Sequence, residues 1–493
     1  MNRRISSEPS CFDWKAACAV FILCAVASVA SRAQTFSFNT VHQFDGTDGA
    51  GPYAGLVQAT DGNLYGTTVS GGNIPPPTEG TVFKITPGGT LTSLVSFCRR
   101  NNCSGGENPQ SGLIQAADGN LYGTAPFPTG TVFRITTNGR ETVVSSSFFA
   151  QISGGLVQGT DGNFYGTTGD GGPNVEGTVF KITPSGTLTT LYTFCSQSGC
   201  TDGKFPGAGL VQGTDGNFYG TATNGGFNNC YIGCGTIFKI TPSGTLTTLY
   251  SFCPLGGDCA DGSNPHAGLV QGRDGNFYGT TYYGGPNTCN IPGYGFVSCG
   301  TVFKITPAGV YTTLHSFDST DGGNPTAGLI QATDGNFYGT TLDGGANGAN
   351  DGTIFSITPS GTLTTLYSFC SQSSCADGSQ SYAAVMQDTS GMFYGTTAGG
   401  GLGDGTIFSF SVGLGPFVET QTTVGRVGAK VIILGNNLTG ATSVTFNGTP
   451  ATFTVVSGTE ITTTVPAGAT TGTVQVTTSS GTLKSNVVFR VRP

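Results

Sequence analysis

The sequence predicts an all-β protein: a seven-bladed β-propeller closed by an N-terminal strand, followed by a small immunoglobulin-like β-sandwich. Three observations lead there. A four-part unit carrying a Tyr-Gly pair recurs at Tyr65, Tyr122, Tyr165, Tyr219, Tyr278, Tyr338 and Tyr394, with a period of propeller-blade size. Each part is short and rich in Val, Ile, Phe, Tyr and Thr, which suit a pleated, half-buried surface. A fourth-part sequence stands alone before the first unit, and the last unit lacks one of its own.

In chain order, residues 1–33 read as a secretory signal peptide. Arg3, Arg4 and Lys15 precede an apolar run from Ala16 to Ala30, and the small residues Ser31 and Ala33 set a cleavage point before Gln34. The run is shorter than the roughly 20 residues a spanning helix needs. The expectation is therefore export to the cell surface or the medium, with no membrane span after cleavage. Of 493 residues, 82 are glycine and only 9% are charged, and the formal net charge is -8. Glycine at that level without a collagen period signals many tight turns, and the 37% hydrophobic fraction can bury a core. With no cluster of Lys and Arg, nucleic acid has no electrostatic footprint and is excluded as a partner.

Residues 34–413 hold the repeat. Unit five shows its parts: AGLVQ ending at Gln271, NFYGTT from Asn276, GTVFKIT from Gly300 and VYTTLHSF ending at Phe317. Asp-Gly-Asn joins the first two parts and Thr-Pro-Ser-Gly or a relative joins the last two. Both are tight-turn sequences, so four strands form an antiparallel meander, one blade. The seventh unit stops after Gly405 to Val412. Thr35 to Phe44, whose Val41-His42-Gln43-Phe44 matches Leu314-His315-Ser316-Phe317, supplies the missing strand. That pairing closes the ring without an exposed edge. It also puts the GLVQ strand innermost, the two short turns on one face, and the long connections on the other.

Three of the fifteen cysteines fall in the leader. The rest form six near neighbours: Cys98 with Cys103, Cys195 with Cys200, Cys230 with Cys234, Cys253 with Cys259, Cys289 with Cys299, and Cys370 with Cys375. None is a CxxC pair, and the chain's three histidines are His42, His266 and His315. Local disulfides in an oxidising compartment are expected, and a metal site is not. All six pairs lie in the long connections, which makes that face the expected ligand surface. The loop aromatics Tyr231, Tyr282, Tyr283, Tyr294 and Phe296 suit stacking on sugar rings or docking on a protein. Gln58, Gln115, Gln158, Gln212, Gln271, Gln331 and Gln387 end the inner strands; they form a channel ring that either contacts a ligand or satisfies backbone groups between blades. The turn Asp recurs in six units, with Ser390 in its place in the seventh. The oxygen-rich stretch of Asp343, Asn347, Asn350 and Asp351 matches no EF-hand. Neither G-x-S-x-G nor H-E-x-x-H occurs, so no catalytic residue is assigned, and no cofactor is expected.

After Gly413-Leu414-Gly415-Pro416, read as a hinge, residues 416–493 alternate polar with apolar and predict a small β-sandwich. GAKVIILGNNL from Gly428, VTFNGTPATF from Val444 and VPAGATTGTVQV from Val465 resemble the IPT/TIG family of immunoglobulin-like domains, which implies a spacer or adhesion module. The strings GLVQGTDGNFYGTT and GTVFKITPSGTLTTLYSF resemble the GloVer-type tandem repeats of exported bacterial proteins. More distantly, Asp-Gly-Asn-Phe-Tyr-Gly-Thr looks like the blade signature of two-component sensor propellers and streptogramin lyases. The repeat resemblance implies fold and export and no defined activity. The expected function is a secreted or surface protein whose long-loop face binds carbohydrate or an extracellular protein. A secreted lyase or hydrolase acting at the channel, or a structural envelope protein, is the alternative.

Overall fold

The computed structural model describes residues 36–72, 79–98, 106–127, 130–146, 150–152, 154–226, 233–254, 259–291, 295–348 and 351–492. The leader expected at 1–33 lies outside them. The chain is all-β. Among the described residues, helical structure is confined to single 3-10 turns at Ser198–Cys200, Ser373–Cys375 and Leu438–Gly440.

Each repeat unit forms one four-stranded antiparallel sheet with its strands in chain order. In unit five the strands are Val270–Gln271, Phe277–Thr281, Thr301–Ile305 and Tyr311–Ser316. The seventh sheet takes its fourth strand from the N-terminus: Ser37–Gln43 pairs with Thr406–Ser411, from Ser37 opposite Ser411 to Gln43 opposite Thr406. The first strand of every unit is shorter than its sequence suggests, because the ladder spans two residues, such as Val211–Gln212. The preceding glycines bring neighbouring inner strands too close for side chains. A Cβ on Gly268 would lie 2.8 Å from the Gly209 carbonyl oxygen, and one on Gly55 2.8 Å from that of Ala384.

The Tyr-Gly pair has two separate causes. Gly220 pairs with Phe238 on the next strand, and a Cβ there would meet the Phe238 ring and Leu210, each at 2.7 Å. The glycine is therefore the floor on which the Phe of GTVFKIT lies. The tyrosine faces the neighbouring sheet, where Tyr219 stacks on Phe277 at 3.9 Å and Tyr165 on Phe218 at 4.0 Å. The core accordingly sits between sheets. Tyr219, Ile237 and Phe252 of the fourth pack with Leu269, Phe277 and Phe303 of the fifth. Likewise Tyr394 and Ile407 of the seventh pack with Leu56, Leu64 and Phe83 of the first.

Four of the expected disulfides are formed, Cys195–Cys200, Cys253–Cys259, Cys289–Cys299 and Cys370–Cys375. The pairs expected for Cys98 with Cys103 and Cys230 with Cys234 each include a residue outside those described.

Residues from Val418 onward form two further four-stranded sheets. One contains Glu419–Thr420, Lys430–Leu434, Glu460–Thr464 and Phe453–Val455, and the other Thr449–Ala451, Ser443–Phe446, Val474–Thr478 and Gly481–Lys484. Val431, Ile433, Val444, Phe446, Ile461, Val474, Val476 and Phe489 fill the space between them. The expected hinge is not free: Leu414 packs against the core of the last sheets. Its carbonyl and that of Gly415 also crowd Gly391.

Candidate binding site

The glutamines that end the inner strands are committed to the backbone. Each Oε1 accepts an N–H from the turn of the preceding unit: Thr60 to Gln115 at 2.9 Å, Ala117 to Gln158 at 2.9 Å, Thr160 to Gln212 at 3.0 Å and Thr214 to Gln271 at 2.9 Å. Arg273 to Gln331 at 2.8 Å, Thr333 to Gln387 at 3.1 Å and Thr389 to Gln58 at 3.0 Å continue the series. The last of these joins the seventh unit to the first. The side-chain N–H groups turn back to their own turn, as Gln212 does to the Gly216 carbonyl at 3.0 Å. The ring thus stitches units together and offers few free amides.

The turn aspartates do more than cap a turn. Asp161 accepts from the Asn163 N–H and side-chain amide and, at 2.8 Å, from the Tyr165 hydroxyl. Burial alone would raise this carboxyl, but the Asn163 amide, the Tyr165 hydroxyl, the Asn163 N–H and the Lys181 charge outweigh it and hold it below the usual carboxylate range. Unit seven has Ser390 in place of this Asp, and residues 414–415 pack against its turn at Gly391. There Asp388 caps instead, accepting from the Ser390 hydroxyl and the Met392 N–H.

Two histidines look at first like catalytic dyads: His42 lies 2.7 Å from Asp48, and His315 2.7 Å from Asp321. Tyrosines occupy the same place elsewhere and make the same bond, Tyr192 to Asp202 at 2.8 Å and Tyr250 to Asp261 at 2.7 Å. The pair is a tie between an outermost strand and the connection that follows it. Sulfurs crowd together at Cys234, Cys253 and Cys259, but these cysteines are disulfide-bonded and lack the thiolates a metal would need.

On the long-connection face, Tyr282 lies between His266, at 4.9 Å, and Tyr283, at 4.5 Å. Burial holds His266 below the usual histidine value. Phe296 is 79% exposed, on the hairpin of Thr288–Ile291 and Gly295–Ser298 that the Cys289–Cys299 disulfide ties to its base. Tyr231 and Tyr294 lie outside the described residues. Sequence reasoning missed Tyr53 and Tyr382, which precede the inner strands of units one and seven and whose rings meet tilted by 45° with centroids 4.7 Å apart. Tyr53 is 39% exposed. The signal was available: the residue before each inner strand changes (Tyr53, His266, Thr326, Tyr382) while its surroundings repeat. These residues stand a few positions before the inner strands that the glutamines end.

Residues 417–492 hydrogen-bond to the inner turns and glutamines of the repeat. The Thr459 hydroxyl donates to the Thr60 carbonyl at 2.6 Å, Gln421 Nε2 to Gln115 Oε1 at 2.5 Å, Asn486 Nδ2 to the Gln331 carbonyl at 3.1 Å and the Phe417 N–H to the Thr389 carbonyl at 3.0 Å. Arg490 reaches the Thr214 carbonyl, and Arg273 reaches Asn486. These contacts fall on units one, two, four, five, six and seven.

Solved structures similar to this chain include a streptogramin B lyase, 16% identical with a TM-score of 0.53, covering 77% of this chain and 99% of that one. A catalytically inactive virginiamycin B lyase variant from Staphylococcus aureus, with quinupristin, is 17% identical with a TM-score of 0.52, covering 76% and 99%. At such identity the likeness extends to a propeller-like fold and no further. No curated protein matches the chain by sequence. The Gloeobacter/Verrucomicrobia repeat model matches residues 26–151, 127–297 and 232–456. This all-β, disulfide-bonded chain with a propeller-like fold therefore belongs to the Gloeobacter/Verrucomicrobia repeat family.

Proposed function

We propose that this chain is an exported binding protein: a closed seven-bladed propeller whose long-connection mouth recognises carbohydrate or an extracellular protein. The C-terminal domain, read as immunoglobulin-like of the IPT/TIG kind, serves as a lid on the other mouth rather than an extended spacer. The disulfides suit an oxidising compartment, and no helix of the described residues is long and apolar enough to cross a membrane. The observation that carries the reading is the asymmetry of the two mouths. One is covered through contacts on six units, whereas the other presents the tilted pair of Tyr53 and Tyr382, the His266–Tyr282–Tyr283 cluster and the exposed Phe296. Flat aromatic faces bordered by polar groups suit a sugar ring or a protein loop.

A glycan and polysaccharide binding screen on residues 34–493 tests it. Saturable binding that falls at least tenfold in Tyr53→Ala or Phe296→Ala, with thermal stability kept, is the expected outcome. Binding that these changes leave unaltered would remove the site from this face. Of the three histidines, His42 and His315 are held in structural ties to Asp48 and Asp321.

A further inference from the structure

Between the inner strands of units two to four and the C-terminal segment lies a chamber of about 540 Å³. Its wall is aliphatic, with the buried Leu156 and Leu210 beside Val157, Val211 and Val424. The C-terminal segment spans this gap between two anchors. Gln421 Nε2 donates to Gln115 Oε1 in unit two at 2.5 Å, and Arg490 Nη1 donates to the Thr214 carbonyl in unit four. Unit three, between them, is left open. A Cβ on Gly162 in its inner turn would meet nothing within 4 Å, whereas one on Gly62 of unit one would lie 2.8 Å from Thr459.

One charged group lines the chamber, the Arg490 guanidinium. Its strand fixes it: Arg490–Arg492 runs parallel to Val424–Arg426, with Val424 opposite Arg490. A guanidinium carries five N–H donors, and Nη1 serves the Thr214 carbonyl. Among the described residues, Nε and Nη2 make no hydrogen bond and the side chain joins no ion pair. A second cation stands close, since Arg492 Nη2 would lie 3.7 Å from a Cβ on Gly216, two residues beyond Thr214. Burial and the Arg492 charge together outweigh the pull of Asp215 and hold Arg490 below the usual arginine value. Asp215 is itself taken up by Asn217 and the Tyr219 hydroxyl. The amides of Gln158 and Gln212 are spent on the Ala117 and Thr160 N–H groups and on the Gly162 and Gly216 carbonyls.

We propose that this chamber binds a small organic monocarboxylate with an apolar body, its carboxylate paired with Arg490 and its body against Leu156, Val157, Leu210 and Val211. A carboxylate matches two parallel N–H donors of a guanidinium. A chamber of this size, mostly apolar with few placed polar groups, has the usual form of a small-molecule site. A phosphate would find one cation on the wall, and the Ala117 and Thr160 N–H groups of the nearby turns are already bonded to glutamines. The site is separate from the aromatic surface proposed above and does not depend on it.

Calorimetric titration of residues 34–493 with octanoate and with 3-phenylpropionate tests it. One saturable site is expected for each acid, with Kd on the order of 0.1 mM, weakened about tenfold or more in Arg490→Gln. Octylammonium, which keeps the apolar body and reverses the charge, should not bind there; this comparison uses the unsubstituted protein and stands even where Arg490→Gln melts early. Arg426→Gln, which changes an exposed arginine on the neighbouring strand, and Tyr53→Ala should both bind octanoate as the unsubstituted protein does. Absence of saturable binding by both acids overturns the proposal. So does octylammonium binding as tightly as octanoate, octanoate binding that Arg490→Gln leaves unchanged, or a loss in Arg426→Gln or Tyr53→Ala as large as in Arg490→Gln.

Discussion

Replacing Phe38 with alanine tests whether the N-terminal strand is an integral part of the seventh sheet. Its ring stacks nearly parallel on Tyr367 at 4.0 Å and lies 5.6 Å from Phe408 and 6.2 Å from Phe369. One side chain from the N-terminus thus holds together residues from the sixth and seventh units. A phenylalanine buries roughly 150–200 Å² when fully enclosed. Phe38 is half-buried, so truncation returns about 100 Å² to water, worth ~2.5 kcal/mol at 25 cal/mol per Å². Loss of the stacked pair adds ~0.5 kcal/mol or more, giving a destabilisation of about 3 kcal/mol. Urea denaturation at 25 °C reads it as a lower midpoint with an unchanged slope. Asn39→Ala, an exposed neighbour on the same strand, serves as control and should change stability by less than about 0.5 kcal/mol. A Phe38→Ala effect no larger than that of the control would refute the reasoning, because the strand would then lie outside the cooperative core.

Gly220→Ala forces a methyl group against Phe238 and Leu210 at 2.7 Å and should lower stability by about 1–3 kcal/mol, measured by thermal unfolding. Asp343 behaves oppositely to turn aspartates such as Asp161: burial pushes it up to about 7. Its folded value exceeds the unfolded one, so the stability it lends is present below pH ~4 and lost as pH rises through about 7. Asp343→Asn should therefore be more stable than the unsubstituted protein at pH 8, by on the order of 2 kcal/mol, and equal to it at pH 4; this is half the full linkage value, because the carboxyl keeps some contact with solvent. Urea midpoints at the two pH values decide it. Asp161, Asp215 and Asp274 are held below the usual range, so their contribution is present above pH ~4 and lost as acid titrates them. A triple Asn variant should show a flatter loss of stability between pH 5 and 2, followed by circular dichroism.

The repeat was legible because each of its positions has a local physical cause. Tight turns demand Gly and Asp, paired strands demand Thr and Val, and the Tyr-Gly pair marks where a ring from the next strand lies over a bare backbone. The lone strand before unit one was legible by its likeness to Leu314-His315-Ser316-Phe317, and it does pair with Thr406–Ser411. What the sequence left hidden depends on contacts between distant segments. Nothing local in Arg490 or Asn486 reveals that they meet Thr214 and Gln331, so the last domain read as a tethered spacer. Leu414 looked like part of a hinge because its glycine neighbours suggest freedom, yet the seventh sheet takes up its side chain. Tyr53 and Tyr382 are not in long loops; they precede the inner strands of units one and seven, about 330 residues apart in sequence, and only the fold brings their rings together. Phe296 is exposed, while the rings of Tyr282 and Tyr283 contact each other and Tyr282 contacts His266.

The proposed function depends most on the ring being continuous from the seventh unit to the first, since only a closed ring would have a channel with one covered mouth and one open mouth. Hydrogen–deuterium exchange of the turn amides that donate to the inner glutamines measures this directly. The Thr389 N–H, bonded to Gln58, should exchange as slowly as the Thr160 and Thr214 N–H groups bonded to Gln212 and Gln271. Fast exchange at Thr389 with protection at Thr160 and Thr214 would mean an open ring and would contradict the account.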